Sequence, residues 1–216
     1  MLKQIASIHK KDVWLFARGW LRSPFKVGAV LPSSMALARA MAGQVDSGSS
    51  DPVVELGGGT GSVTRALLER GVDPSRLFVV ERDPGFCRRL RDRFPEVQLL
   101  NIDASGIADA LRARGIKRVG HVVSSLPLLS LDRRTGEAIL RSSFDILDDE
   151  GAFVQYTYGT GSPVRPPLLK ELDITGCTAD RVWMNVPPAT VWRYSAMLRT
   201  GDCAPARSLR RAFSER

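Results

Sequence analysis

Several things are missing from this chain of 216 residues. It has no stretch of 18 or more apolar residues, so no membrane-spanning helix is expected. It has no apolar core followed by a small-residue cleavage site near the N-terminus, so no secretory leader is expected. Cysteines are few. Cys87, Cys177 and Cys203 are odd in number and lack metal-ligand spacing. They fit free thiols in a reducing cytosol, and no metal site is expected. No internal repeat is apparent. The length suits one α/β domain with a full core and is too short for two.

Two familiar glycine motifs are missing as well. A dinucleotide fingerprint starting at Gly57 needs a glycine at position 62, where Ser62 stands. No Gly-Lys-Ser/Thr follows, so the phosphate loop is excluded too. What remains is Val53-Val54-Glu55-Leu56-Gly57-Gly58-Gly59-Thr60-Gly61, followed by a helical pattern from Ser62 to Arg70. A strand, a bare turn and a helix in that order match the first unit of a doubly wound sheet, whose ligands bind beyond the carboxyl ends of the strands. Glycine there accepts positive φ and lets a ligand lie against the main chain.

A second unit follows. Leu77-Phe78-Val79-Val80-Glu81 reads as a buried strand ending in an acid, and Pro84 opens a helix to about Arg93. Glu81 stands where a carboxylate can accept ribose hydroxyl hydrogens. Val97–Asn101 reads as a third strand and His121–Ser124 as a fourth. Asp132–Leu147 is a predicted helix, Gly151–Thr157 a fifth strand and Leu168–Leu172 a short helix. Cys177–Val186 and Thr190–Leu198 read as a closing hairpin joined through Pro187-Pro188. The expected architecture is a seven-stranded α/β sheet of Rossmann-like type, with helices on both faces and a final antiparallel hairpin.

Charge is one-sided. The formal net charge is +8, which favours an anionic partner. Residues 1–45 hold Lys3, Lys10, Lys11, Arg18, Arg22, Lys26 and Arg39 against Asp12 alone. Within residues 2–22, Leu2, Ile5, Val13, Phe16 and Trp20 recur at helical spacing, Trp14 and Leu15 widen the apolar side, and Lys11, Arg18 and Arg22 fall opposite. This is the pattern of a helix lying in a membrane interface, and equally of a helix packed across a domain. Pro24 ends it, and Ser33 or Ser34 can cap a next helix, Met35–Ala42. Residues 1–45 are therefore expected to form an amphipathic membrane-binding or lid arm, 46–200 the catalytic domain, and 201–216 a basic mobile tail.

The Glu55–Gly61 spacing, E-x-G-x-G-x-G, resembles motif I of the class I S-adenosylmethionine-dependent methyltransferases. With Phe16–Trp20, Gly28–Ser34, Ser124-Ser125-Leu126-Pro127 and Gln155-Tyr156-Thr157-Tyr158-Gly159, the chain resembles the soluble bacterial phospholipid N-methyltransferases. Their core is similar to that of the rRNA adenine dimethyltransferases. The resemblance implies S-adenosyl-L-methionine as cofactor, held by Glu55, Gly57, Gly59, Thr60, Gly61, Glu81, Asp103, Ala104 and Ser124. Asp103 would reach the adenine amino group; it could equally cap the helix starting at Ser105. The implied reaction is stepwise N-methylation of phosphatidylethanolamine toward phosphatidylcholine at the inner face of the cell membrane, by a cytoplasmic enzyme bound peripherally.

Base-specific amino methyltransferases carry Asn/Asp-Pro-Pro-Tyr/Phe after the fourth strand. Here the sequence is Ser124-Ser125-Leu126-Pro127-Leu128, without a stacking ring. That argues against a flipped base and against nucleic acid as partner, although an RNA adenine N-methyltransferase remains the alternative. Catalytic candidates are Ser124 as a guide for the amine and Tyr156 or Tyr158 as proton acceptors. Tyr158 is also a candidate aromatic face for the growing cation, in a wall with Tyr156, Trp183, Trp192 and Tyr194. Lys3, Lys10, Lys11, Trp14, Arg18, Arg22 and Lys26 are the membrane candidates. Arg22, Lys26, Arg165 or Arg193 could hold the lipid phosphate, and Arg193 could instead be an edge-strand surface charge. No protein partner is predicted.

Overall fold

The computed structural model describes residues 32–185 and 187–197. Helix α1 (Pro32–Ala42) leads into β1 (Val53–Leu56) and α2 (Ser62–Glu69). Then come β2 (Leu77–Val80), α3 (Pro84–Arg93), β3 (Gln98–Leu100) and α4 (Ile107–Arg112). The chain continues through β4 (Val119–Ser124), α5 (Arg133–Ile146), β5 (Leu147–Thr157) and α6 (Pro166–Glu171). It closes with β6 (Ile174–Val182) and β7 (Ala189–Ala196).

Seven strands make one sheet in the order β3-β2-β1-β4-β5-β7-β6. β1 to β5 run parallel, and β7 is antiparallel to both β5 and β6. The strand order reverses direction at β1 and β4, the switch point where a crevice opens beyond the carboxyl ends. The central strands are buried along their whole length, so they read as unbroken apolar runs rather than alternating ones.

Two apolar layers sandwich the sheet. One joins Leu37 and Met41 of α1, Leu67 of α2 and Leu90 of α3 to Val53, Val123, Val154 and Val191. The other joins Ile107, Leu111, Ile139, Ile146 and Leu168 to Val54, Leu56, Phe153 and Tyr194. Fully burying one such side chain is worth roughly 1.5–3 kcal/mol. Asp83 and Asp132 cap α3 and α5 by accepting from the Phe86 and Thr135 amides at 3.0 Å each.

Most boundaries shift by one or two residues; three differences carry a tertiary reason. α1 starts at Pro32, not Met35, because proline suits a first helical turn. With Leu37, Ala38, Met41 and Ala42 in the core, residues 32–45 fold with the sheet rather than with an arm. β5 starts at Leu147, ahead of the polar Asp148-Asp149-Glu150, because Leu147 pairs with Val119 before the ladder shifts register. β6 begins three residues earlier than expected and ends at Val182, where the chain turns. Cys177 is disulfide-bonded rather than a free thiol. Spacing alone does not reveal pairing between cysteines far apart in sequence. Cys87 is free and buried.

Candidate active site

The turn after β1 is built by three glycines at positive φ: Gly57 at 82°, Gly59 at 49° and Gly61 at 80°. Other residues pay about 1–2 kcal/mol there. The glycines also differ in what surrounds them. A Cβ at Gly58 would come 2.5 Å from Val79 and 2.8 Å from Leu90, and one at Gly61 would run into the Phe94 ring. These two clamp the turn onto β2 and α3. At Gly59 the nearest atom would be 3.9 Å away. That position faces open space, where a ligand can touch the main chain.

Two carboxylates flank the turn from opposite sides. Glu81 follows β2 and is largely buried. It accepts from the Gly59 amide at 2.9 Å and the Asp83 amide at 2.8 Å. Glu55 lies under the turn with no exposed surface. The Thr64 hydroxyl of α2 donates to its Oε2 at 2.6 Å, while Oε1 is buried without a hydrogen-bond partner. Burial pushes the Glu55 carboxyl up to about 8, with the Thr64 hydrogen bond pulling the other way.

The loop after β4 closes the other wall. Ser125 N donates to Leu56 O at 2.8 Å, extending the β1–β4 ladder by one step. Leu126 then packs over Gly57, leaving no room for a Cβ there. Gln155, opposite Ser124 in the ladder, donates from Nε2 to Leu126 O at 2.9 Å and to Tyr156 O at 3.0 Å. The Ser125 hydroxyl and Gln155 Oε1 are buried without partners. An open glycine edge, an acid beside it and unpaired buried oxygens fit a nucleoside-bearing donor and a polar acceptor between them.

No family model matches the chain. The ornithine lipid N-methyltransferase of Singulisphaera acidiphila is 32% identical over 150 residues, covering 68% of this chain and 78% of that one. The chain belongs to the S-adenosylmethionine-dependent lipid N-methyltransferases. Ribosomal RNA small subunit methyltransferase A of Phenylobacterium zucineum is 36% identical over 94 residues, 42% of this enzyme and 31% of that protein. Solved structures share the fold. A glycopeptide N-methyltransferase complexed with S-adenosyl-L-methionine aligns with TM-score 0.59 at 17% identity, covering 76% of this chain and 94% of that one. A TehB-like methyltransferase from Corynebacterium glutamicum aligns with TM-score 0.58 at 16% identity, covering 87% and 100%.

The structure of this family member brings Glu55, Gly57, Gly59, Thr60, Gly61 and Glu81 around one turn. Thr60 is exposed, and its carbonyl accepts from Arg93 at 2.8 Å. Asp103 takes up the capping geometry: Oδ1 accepts from the Ser105 amide at 2.9 Å and hydroxyl at 2.7 Å. Those hydrogen bonds lower its pKa. Ala104, next to it, is buried. Ser124 is fully buried, and its hydroxyl accepts from Leu126 N at 3.4 Å. Ser125, not Ser124, carries the unpaired hydroxyl.

Tyr156 and Tyr158 meet edge to face with ring centroids 5.4 Å apart. Asn185 lies beside Tyr158. Burial pushes both phenols above their ordinary range, so neither is a phenolate at neutral pH. Tyr194 is fully enclosed in the core, its hydroxyl 2.8 Å from that of Ser162, and is no part of an open wall. Arg193 sits on β7, an interior strand, so the edge-strand alternative fails. It donates to Gln44 O at 3.4 Å, beneath the C-terminal end of α1 and away from the crevice. His121 also lies at that far end, and burial drives its pKa down to about 4. Arg165 pairs with Glu137 at 3.1 Å. Lys3, Lys10, Lys11, Trp14, Arg18, Arg22 and Lys26 lie outside the described residues, as does the 201–216 tail.

Four contributors escaped the sequence reading: Thr64, Ser125, Asn101 and Gln155. Asn101 donates to the carbonyls of Glu81 and Arg82 at 2.9 and 3.1 Å, tying the turns after β2 and β3 together. Gln155 stood inside the family motif, but nothing in the sequence said that its amide would hold the opposite loop.

Proposed function

We propose that this enzyme transfers methyl groups to the primary amine of a membrane lipid headgroup, with phosphatidylethanolamine as substrate and its mono- and dimethyl forms as intermediates toward phosphatidylcholine. The carrying observation is the loop after β4. It is locked by Gln155 and packed over Gly57, it holds the unpaired buried Ser125 hydroxyl, and it has no aromatic ring for a nucleobase to stack on. Kinship with a lipid N-methyltransferase supports the same reading. That relative is named for ornithine lipid, another amine-bearing lipid, which makes ornithine lipid the second reading.

Glu81 and the Gly57–Gly61 turn would hold the adenosyl part of S-adenosylmethionine, Glu81 through its ribose. Asp103 and Ala104 would border the adenine. Bound there, the cofactor supplies an electrophilic methyl group on a sulfonium. The chain's own work is to orient the amine and shield it from water, which is where most of the rate comes from when reacting atoms are held in line. Ser125 Oγ and the loop carbonyls accept hydrogen bonds from the amine. The apolar surroundings disfavour the ammonium and so favour the lone pair. The tyrosine pair stays neutral. Its role is to offer Tyr158 as a ring face to a cation that can no longer donate hydrogen bonds.

The test is to incubate the full chain with methyl-labelled S-adenosylmethionine and, separately, phosphatidylethanolamine vesicles, ornithine lipid vesicles and rRNA. Label is expected in phosphatidylethanolamine. Label in ornithine lipid alone would establish the second reading. Label in RNA alone would overturn both.

A further inference from the structure

Single exposed apolar side chains are ordinary, but adjacent ones on one rim can mark a docking site. Among the described residues Leu129, Trp183, Met184 and Met197 are exposed, at 63%, 68%, 81% and 52%. Three of the four share one end of the molecule. Leu129 lies in the turn that follows the Ser124–Pro127 loop. Trp183 and Met184 form the tip between β6 and β7. Because β7 runs antiparallel to β5, with Thr190 opposite Thr157, that tip projects beyond the carboxyl end of β5. It therefore stands on the rim of the methyl-transfer crevice.

The tip is also held in shape. Asn185 donates to Pro187 O at 2.8 Å, and Thr190 donates to Gly159 O at 2.6 Å, binding the hairpin to the loop after β5. The Arg181 guanidinium lies 5.2 Å from the centre of the Trp183 ring. An aromatic ring beside a guanidinium suits a bilayer interface, with the ring at headgroup depth and the charge toward lipid phosphates.

Charge distribution selects the occupant. Residues 32–197 contain 20 basic and 20 acidic side chains, so the folded body has no net charge. The excess lies in residues 1–31, with six basic and one acidic, and in 198–216, with five and two. Residues 1–31 join the body at Pro32. Arg39, late in α1, pairs with Glu69 at the end of α2 at 3.2 Å. The last turns of the two helices therefore lie together. The neutral body thus carries an apolar tip and the flanking segments carry the positive charge, a combination that matches an anionic bilayer surface.

We infer that the Trp183-Met184 tip inserts into the headgroup layer of an anionic bilayer and seats the crevice mouth over its lipid substrate. This rests on the lipid reading above and adds the docking surface. Trp183, exposed and lying against Arg181, is not part of a wall around the cation, so the tip acts in binding and not in chemistry. Both side chains are exposed, so Trp183→Ser/Met184→Ser leaves the fold intact.

The experiment measures partitioning of the full chain onto equimolar phosphatidylethanolamine and phosphatidylglycerol vesicles, for wild type, W183S/M184S and M184D. Methylation is followed in parallel on vesicles and on a short-chain phosphatidylethanolamine dissolved as monomer. Partitioning is expected to fall about tenfold or more in both variants, the scale of keeping one or two large apolar side chains out of an apolar phase. The rate on monomeric lipid and the melting temperature are expected to stay at wild-type values. Unchanged partitioning overturns the inference while leaving the lipid reading intact. So does a variant that alters only self-association or RNA binding. Loss of partitioning by an enzyme that labels no lipid would instead uphold the docking surface and remove the lipid reading. If W183S/M184S melts early, the single M184D variant decides.

Discussion

The Gln155 side-chain amide donates to the Leu126 carbonyl across 2.9 Å, fastening the loop after β4 to the strand beside it. Under the proposed function that hydrogen bond would set where the amine meets the donor. Gln155→Leu keeps the volume and removes both donated hydrogen bonds. The expected result is a loss of about 1–3 kcal/mol of stability for the two hydrogen bonds removed; Leu126 O keeps the Leu128 amide. The maximal rate should fall at least about tenfold, with donor affinity near wild type. Calorimetric titration with S-adenosylhomocysteine, beside steady-state kinetics, separates the two. Equal losses in both would mean that Gln155 supports the whole crevice and not the loop.

The glycines of the turn should separate by role. Gly58→Ala places a methyl group against Val79 and Leu90 and is expected to lower the melting temperature. Gly59→Ala meets no neighbour but occupies the open edge at a φ of 49°. It is expected to weaken donor binding about tenfold or more, at a stability cost of about 1 kcal/mol. Thermal melting with and without donor tests this; the reverse ranking would show that the open edge is not where the ligand lies.

Buried Glu55 and His121 give the stability opposite pH slopes. Glu55, raised from 4.5 to about 8, keeps a proton in the native state that the unfolded chain has lost, so its stabilisation is complete below about 4.5 and fades as pH rises toward 8. His121, lowered from 6.5 to about 4, is neutral in the native state while the unfolded chain is protonated, so stability is lost as pH falls from 6.5 toward 4. The slopes oppose each other between about 4.5 and 6.5, and from 6.5 to 8 Glu55 acts alone. Glu55→Gln should flatten the decline above pH 6.5. Denaturant melts across pH 5–8 measure it. A wild-type curve that already lacks the decline would show Glu55 ionised in its pocket.

Gly176 on β6 faces the Tyr194 ring so closely that a Cβ could not fit. Its backbone has no positive φ, so the constraint is one of space. Gly176→Ala must displace the ring or part β6 from β7. The expected cost is about 1–3 kcal/mol, read from chemical denaturation. Gly176→Ala combined with Tyr194→Leu should recover part of it, and no recovery would place the strain elsewhere.

The sequence by itself determined the order of elements and the chemistry of the turn. Val53–Leu56 and Leu77–Val80 are apolar throughout and bounded by glycine or acid, and such local patterns specify buried parallel strands wherever they occur. Glu55, Glu81 and the glycines were legible because their spacing along the chain is the spacing of the site. The tertiary structure decided what depends on neighbours distant in sequence. Ser125 rather than Ser124 keeps a free hydroxyl because Leu126 N claims Ser124, and Gln155 matters because β5 lies against β4. Arg193 leaves the crevice because its side chain reaches back to Gln44 O past the end of α1. Trp183 and Met184 reach the rim because β7 runs antiparallel to β5. Strand direction and partner choice are set by packing the whole sheet at once, and no window of residues contains them.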